Sequence, residues 1–232
     1  SSPHESVRVI GVRLFGQLPD EQLLQKSQLL ITLATHELPD LRDAIRPGIR
    51  RLATHHPEFA QQLVMHLLQI LRAPEPHPGV HSFIAQVLNQ DIPGWMHQAT
   101  QAEIWDLLRV PSSAAQEVAG RVIETRAAEW AESLETSAIA LLTHHEVMAV
   151  RQSGYQMLRQ SLPRLKQSAL ELVNTVMVFD SRWADAKQFG FELFGQHLQP
   201  EDLTPAVVIS VCDCIDPAVR QFGRDLLTQC FQ

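Results

Sequence analysis

Three cysteines in 232 residues, Cys212, Cys214 and Cys230, are too few and too clustered to frame a disulfide scaffold. An odd count without framework spacing points to a reducing compartment, where such thiols serve as small buried residues. No apolar run approaches the roughly 18 residues of a membrane span, and no basic-then-apolar signal segment opens the chain, which predicts a soluble, cytoplasmic protein. Glycine and proline are sparse, at 10 and 14 residues, which excludes a low-complexity chain. Basic charge is also short. Nineteen Lys and Arg against 26 Asp and Glu leave a net charge of −7, which opposes the counterion release that drives non-specific nucleic-acid binding. There is no Gly-rich phosphate loop, no Gly-x-Ser-x-Gly and no His-Glu-x-x-His, so neither an enzyme nor a cofactor is expected.

What is present is a core and a period. Apolar residues make up 45% of the chain, ample for burial. The stretch Val219-Arg-Gln-Phe-Gly223-Arg-Asp-Leu226-Leu227 recurs at Val150 to Leu158, at Ala186 to Phe194 and at Val7 to Phe15, with weaker copies from Ile45, Val80 and Ala115. Such a register, at intervals of 33 to 38 residues, is the mark of a repeat array. Leu14-Phe15-Gly16-Gln17 matches Leu193-Phe194-Gly195-Gln196 as well, which duplication explains.

Within each copy, apolar residues fall at offsets 0, 3, 7 and 8, one stripe of a helix here termed B. A second apolar segment, A, precedes it: Leu23 to Leu33, Phe59 to Leu71, Ile104 to Val110, Leu165 to Val178 and Ala206 to Val211. Ser2 with Glu5, Thr100 with Glu103 and Thr143 with Glu146 have capping-box spacing, while Thr204-Pro205 and Asp216-Pro217 place proline at a first helical position. Glycine at offset 4 (Gly11, Gly154, Gly190, Gly223) costs roughly 1 kcal/mol against alanine, and close approach of a neighbouring helix is the expected compensation. Pro47 falls inside the second B helix and predicts a kink, or a helix that starts there. Pro74, Pro76, Pro78 and Pro93 make the middle of the chain the least regular part.

The A-turn-B unit with a B helix opening Val-Arg resembles the HEAT and armadillo superfamily, through Asp216-Pro217-Ala218-Val219-Arg220, Val150-Arg151 and Ser2-Pro3 to Val7-Arg8. The resemblance covers essentially the whole chain and implies an all-α fold: a right-handed α-solenoid of about seven HEAT-like helix pairs, residues 1–232, starting mid-repeat as a segment of a longer protein. It further implies a scaffold whose B helices line a concave binding face.

Offset 1 carries Arg8, Arg46, His81, Gln116, Arg151, Lys187 and Arg220, a mostly basic column. One reading is a track for an anionic or acidic protein ligand; the other, favoured, is a ladder of hydrogen bonds to turn acceptors such as Asp180 or Asp216. The histidine pairs His55-His56, His144-His145 and His77 with His81 suggest no metal site, because adjacent helical residues point apart. His4, His36, His77, His144 and His145 are expected in A-to-B turns, along one edge that protonation could tune. The leading function is protein–protein interaction. The alternative is a nucleic-acid-binding module or a HEAT-like DNA glycosylase, with Trp183 and Asp185 or Trp105 and Asp106 in its site. Seven apolar residues between Val7 and Leu18 spread around the first B helix, which predicts self-association through that end.

Overall fold

The structure is a computed structural model that describes residues 3–92 and 94–230. It is all-helical, with no strand among the described residues, and divides into two compact units, Ser1–Ala119 and Gly120–Gln232. No helix among the described residues is long and apolar enough to cross a membrane.

The first unit comprises α1 (Pro3–Gly16), α2 (Asp20–Leu24), α3 (Ser27–Ala34), α4 (Pro39–His55), α5 (Pro57–Arg72), α6 (Val80–Gln90), a 3-10 turn at Trp95–His97, α7 (Gln101–Arg109) and the first part of α8 (Ser113–Thr125). Helix α3 packs on α4 and α5 on α6, and α1 lies along α4. Leu30, Ile45, Ile49, Leu63, Leu67 and Ile84 are essentially inaccessible to water and form the core between them. The expected segment Leu23 to Leu33 is two helices, because Gln25 and Lys26 close a turn between α2 and α3.

Helix α4 does not start at Pro47, one of the two expected outcomes there. The helix begins at Pro39, in its favoured first-turn position, and passes through Pro47 without ending. An unbroken buried stripe of Leu41, Ala44, Ile45, Gly48, Ile49 and Leu52 crosses the proline, and its burial outweighs the roughly 3 kcal/mol that an interior proline costs. The B helix of this repeat therefore opens at Leu41-Arg42, one turn before the Ile45-Arg46 that sequence spacing selects.

The second unit holds the rest of α8, then α9 (Ala127–Trp130), α10 (Thr136–Leu142), α11 (Met148–Gln160), α12 (Leu162–Leu165), α13 (Ala169–Thr175) continued by a 3-10 turn at Val176–Asp180, α14 (Ala184–Glu192) continued as a π-helical turn at Leu193–His197, a 3-10 turn at Pro200–Asp202, α15 (Pro205–Cys212) and α16 (Pro217–Cys230). Thus Leu165 to Val178 is not one helix. Helix α10 packs on α11, the Val176–Asp180 turn on α14, and α15 on α16.

The recurring glycines explain those contacts. A Cβ at Gly154 would meet Leu142 Cβ at 3.0 Å, one at Gly190 would meet the Phe179 ring at 2.6 Å, and one at Gly223 would meet the Cys212 backbone nitrogen at 2.8 Å. In each case the preceding segment occupies the space of the missing side chain. Gly11 departs from the expectation, since nothing lies within 4 Å of its Cβ position.

The helix starts are mixed. Thr100 and Glu103 form the expected capping box. Thr143 does not cap: its hydroxyl donates back to the Ala140 carbonyl at 2.6 Å, and α11 starts later, at Met148. Asp216 accepts the Ala218 N–H at 2.9 Å, whereas Thr204 makes no side-chain cap. Ser2, the capping member of the Ser2–Glu5 pair, lies outside the described residues, as does Pro93. Cys214 is buried, Cys212 and Cys230 are half-buried, and all three are free thiols.

Candidate functional site

Offset 1 is governed by the turn before each B helix. Backbone carbonyls there have left helix A and have no ladder partner, so a donor must come from a side chain. Arg151 Nη1 donates to the carbonyls of His145 and Glu146, both at 3.0 Å. Arg220 Nη1 donates to Ile215 at 2.9 Å and Cys214 at 3.5 Å, and Arg42 Nη1 to His36 at 2.8 Å and Glu37 at 3.5 Å. Gln116 does the same with its amide, to Val110 at 2.9 Å. In all four the donor reaches the carbonyl six residues back.

The turns themselves repeat. His36-Glu37-Leu38 and His145-Glu146-Val147 hold one geometry, in which the histidine Nδ1 accepts the N–H two residues on, from Leu38 at 3.0 Å and from Val147 at 3.1 Å. The histidine-glutamate signature, seven residues long through Arg42 and Arg151, is readable in the sequence, but the mistaken register at Ile45 conceals it. Arg42 is thus the offset-1 residue that sequence spacing misses. Its Nη2 also reaches the Pro78 carbonyl at 3.4 Å, beside Gly79, whose φ of +81° requires a residue without a side chain.

The candidates of the basic column have different surroundings. Arg8 is exposed on α1. Arg46 bonds Asp91 at 2.5 Å and Gln90 at 2.7 Å. His81 is buried, its Nδ1 at 2.9 Å from Ser112 Oγ and its Nε2 at 3.1 Å from the Ile70 carbonyl, beside a 440 Å³ pocket that Arg72, Glu75 and Ser113 also line. Lys187 pairs with Asp216 at 2.6 Å, the ladder contact expected of that aspartate. Arg151 is buried and reaches Asp185 at 2.8 Å rather than Asp180, with its guanidinium 4.3 Å from the Trp183 ring. The premise that offset 1 is an exposed position therefore fails at His81 and Arg151, because both are consumed by turn and inter-helix acceptors.

Asp185 is the hub of the second unit. It accepts from Arg151 and, at 2.9 Å, from the Tyr155 hydroxyl. Burial disfavours its charge, but the bonds from Arg151 and Tyr155 outweigh that penalty and hold the carboxyl below its ordinary range. Burial and the same carboxylate push the Tyr155 phenol upward. Beside this hub opens a cleft of about 360 Å³, lined by Glu124, Met148, Gln152, Gln156 and Arg159 with Tyr155 and Asp185. Arg159 pairs with Glu192 at 2.9 Å and lies 5.0 Å from the Phe189 ring, which stacks on Tyr155. The lining mixes both charge signs, amides, an aromatic ring and an exposed methionine.

Two histidine expectations change. His55 and His56 do meet, because His56 ends α4 with φ −128° and ψ 89°, so the helical argument that they point apart does not apply. Both ring nitrogens stand 3.2 Å from Asp20 Oδ2, whose Oδ1 takes Arg51 at 2.8 Å. The bonds to His55, His56 and Arg51 hold the Asp20 carboxyl below its usual range. His4 lies within α1, not in a turn. No group of three or more His, Cys, Asp or Glu side chains among the described residues could hold a metal ion.

Comparison of the chain with family models, curated proteins and solved structures finds no match in any of the three. The fold and the cleft accordingly define an all-helical protein with a mixed-charge surface cleft.

Proposed function

We propose that this chain is a HEAT-like α-solenoid scaffold that binds a protein partner across the exposed face of its B helices, at the cleft between α11 and α14. The observation that carries the reading is the lining of that cleft. Tyr155, Met148, Gln152, Gln156 and Arg159 are the residue types that make adaptable protein contacts, and Glu124 and Asp185 set negative charge among them. A phosphate backbone would meet those carboxylates unfavourably. The glycosylase alternative is weakened at its proposed acid, since Asp185 already accepts from Arg151 and Tyr155.

A photo-crosslinking residue at Gln156 tests the reading, with Thr228 on α16 as control position. The expected result is a discrete protein adduct from Gln156 alone, resistant to nuclease and lost on Met148→Lys with Arg159→Glu. Adducts removed by nuclease, or salt-dependent binding of duplex DNA by the purified chain, would replace this function with the nucleic-acid one.

A further inference from the structure

Helix α1 leaves an apolar face exposed. In α11 the residues at offsets 0, 3, 4 and 7 are Val150, Ser153, Gly154 and Met157, and all four are buried. The same four positions are buried in α4, α6 and α14. In α1 they are Val7, Ile10, Gly11 and Leu14, and Val7 is 67%, Ile10 57% and Leu14 61% exposed. At about 100° per residue these four side chains share one face of α1, nearly opposite the half-buried Val9, Val12 and Phe15. The helix is apolar on two sides, with α4 along one of them.

The internal repeats indicate what fits the free side. Over Gly154 and Gly223 lie the C-terminal ends of α10 and α15, approaching so closely that a Cβ would collide. Gly11 offers the same notch, with nothing within 4 Å. A glycine in mid-helix lowers helix propensity, and among the described residues nothing approaches the Gly11 Cβ position within 4 Å to compensate. Charge narrows the occupant further. Arg8 and Arg13 sit on opposite flanks of the stripe, both exposed and without an ion pair among the described residues. A second copy of α1 would bring two more arginines to that seam, where like charges repel; acidic flanks would pair instead.

We propose that the Val7, Ile10, Gly11 and Leu14 face of α1 is a docking groove for an amphipathic helix of a partner protein, apolar along one stripe and acidic beside it. This is the helix-in-groove mode, in which anchors at successive turns enter an apolar surface.

The test uses two labelled synthetic helices with the same Leu and Ala stripe, one flanked by glutamate and one by lysine, titrated by fluorescence anisotropy against the full chain. The glutamate helix is expected to bind saturably and at least about tenfold more tightly than the lysine helix. Gly11→Leu fills the notch in open space, and Ile10→Lys charges the stripe; each should abolish binding without lowering the melting temperature. Unchanged binding by both variants, or equal binding of the two helices, overturns the proposal. So does a dimer in sedimentation that Ile10→Lys dissolves and the glutamate helix does not compete away, since the occupant would then be a second copy.

Discussion

Helices α11 and α1 carry the same pattern, Val-Arg, then glycine three residues on, then an apolar pair, yet they stand in opposite surroundings. Around α11, α10 covers Gly154, Arg151 closes the preceding turn, and Val150 and Met157 see no water. Around α1, Gly11 faces open space, Arg8 is exposed, and Val7 and Leu14 stand in solvent. The pattern encodes a requirement for a covering helix; the neighbour decides whether that requirement is met. A substitution at matched offsets should therefore have very different costs in the two helices.

The widest gap is expected at offset 1. Arg151→Ala removes two charge-assisted bonds to turn carbonyls and strands Asp185, so about 3 kcal/mol of stability should be lost. Arg8→Ala should stay within about 0.5 kcal/mol of wild type, as surface changes do. Urea unfolding of both variants measures this, and equal midpoints would erase the distinction between the two helices.

Offset 4 gives the next contrast. Gly154→Leu would force a side chain into Leu142 and Thr143, at 3.0 and 3.2 Å from the Cβ position, with an overpacking cost of about 1 to 3 kcal/mol. Gly11→Leu meets nothing and improves helix propensity, so stability should hold or rise by up to about 1 kcal/mol. If Gly11→Leu destabilises as much as Gly154→Leu, the open notch on α1 is not open in solution.

Much of this was legible from the amino acids, and the remainder failed for identifiable reasons. Helical periodicity and the glycine register located α11, α14 and α16, because local spacing carries that information. A helix start at Pro47 is not what forms, since a proline's local penalty is visible in sequence while the buried stripe from Leu41 to Leu52 that carries the helix through it is tertiary. A separate slip, aligning the weak second copy at Ile45 rather than Leu41, moved the register by a turn, replaced Arg42 with Arg46, and hid the kinship of the turns at His36 and His145. The capping spacing at Thr143 was a coincidence of residue types, because the helix start four residues later belongs to a histidine-capped turn. The cleft could not be read at all: Glu124, Tyr155 and Asp185 lie on three helices, and only packing brings them together.

The smallest expected effect concerns the turn that feeds α11. His145 Nδ1 must be unprotonated to accept the Val147 N–H, and burial lowers its pKa from 6.5; Glu146 opposes that shift and the Arg151 charge adds to it. A folded-state pKa below the unfolded one means that the folded chain binds the proton more weakly. Its contribution to stability is then fully present above about pH 6.5 and is lost as pH falls through that value toward the lower folded pKa. His145→Asn keeps a side-chain acceptor for a neighbouring N–H but does not titrate. Between about pH 7.5 and 5.5 the wild-type chain should lose more stability than the variant, because the other histidines are common to both and cancel in the difference. Parallel stability curves for the two proteins would show that the turn before α11 holds its geometry without the neutral imidazole.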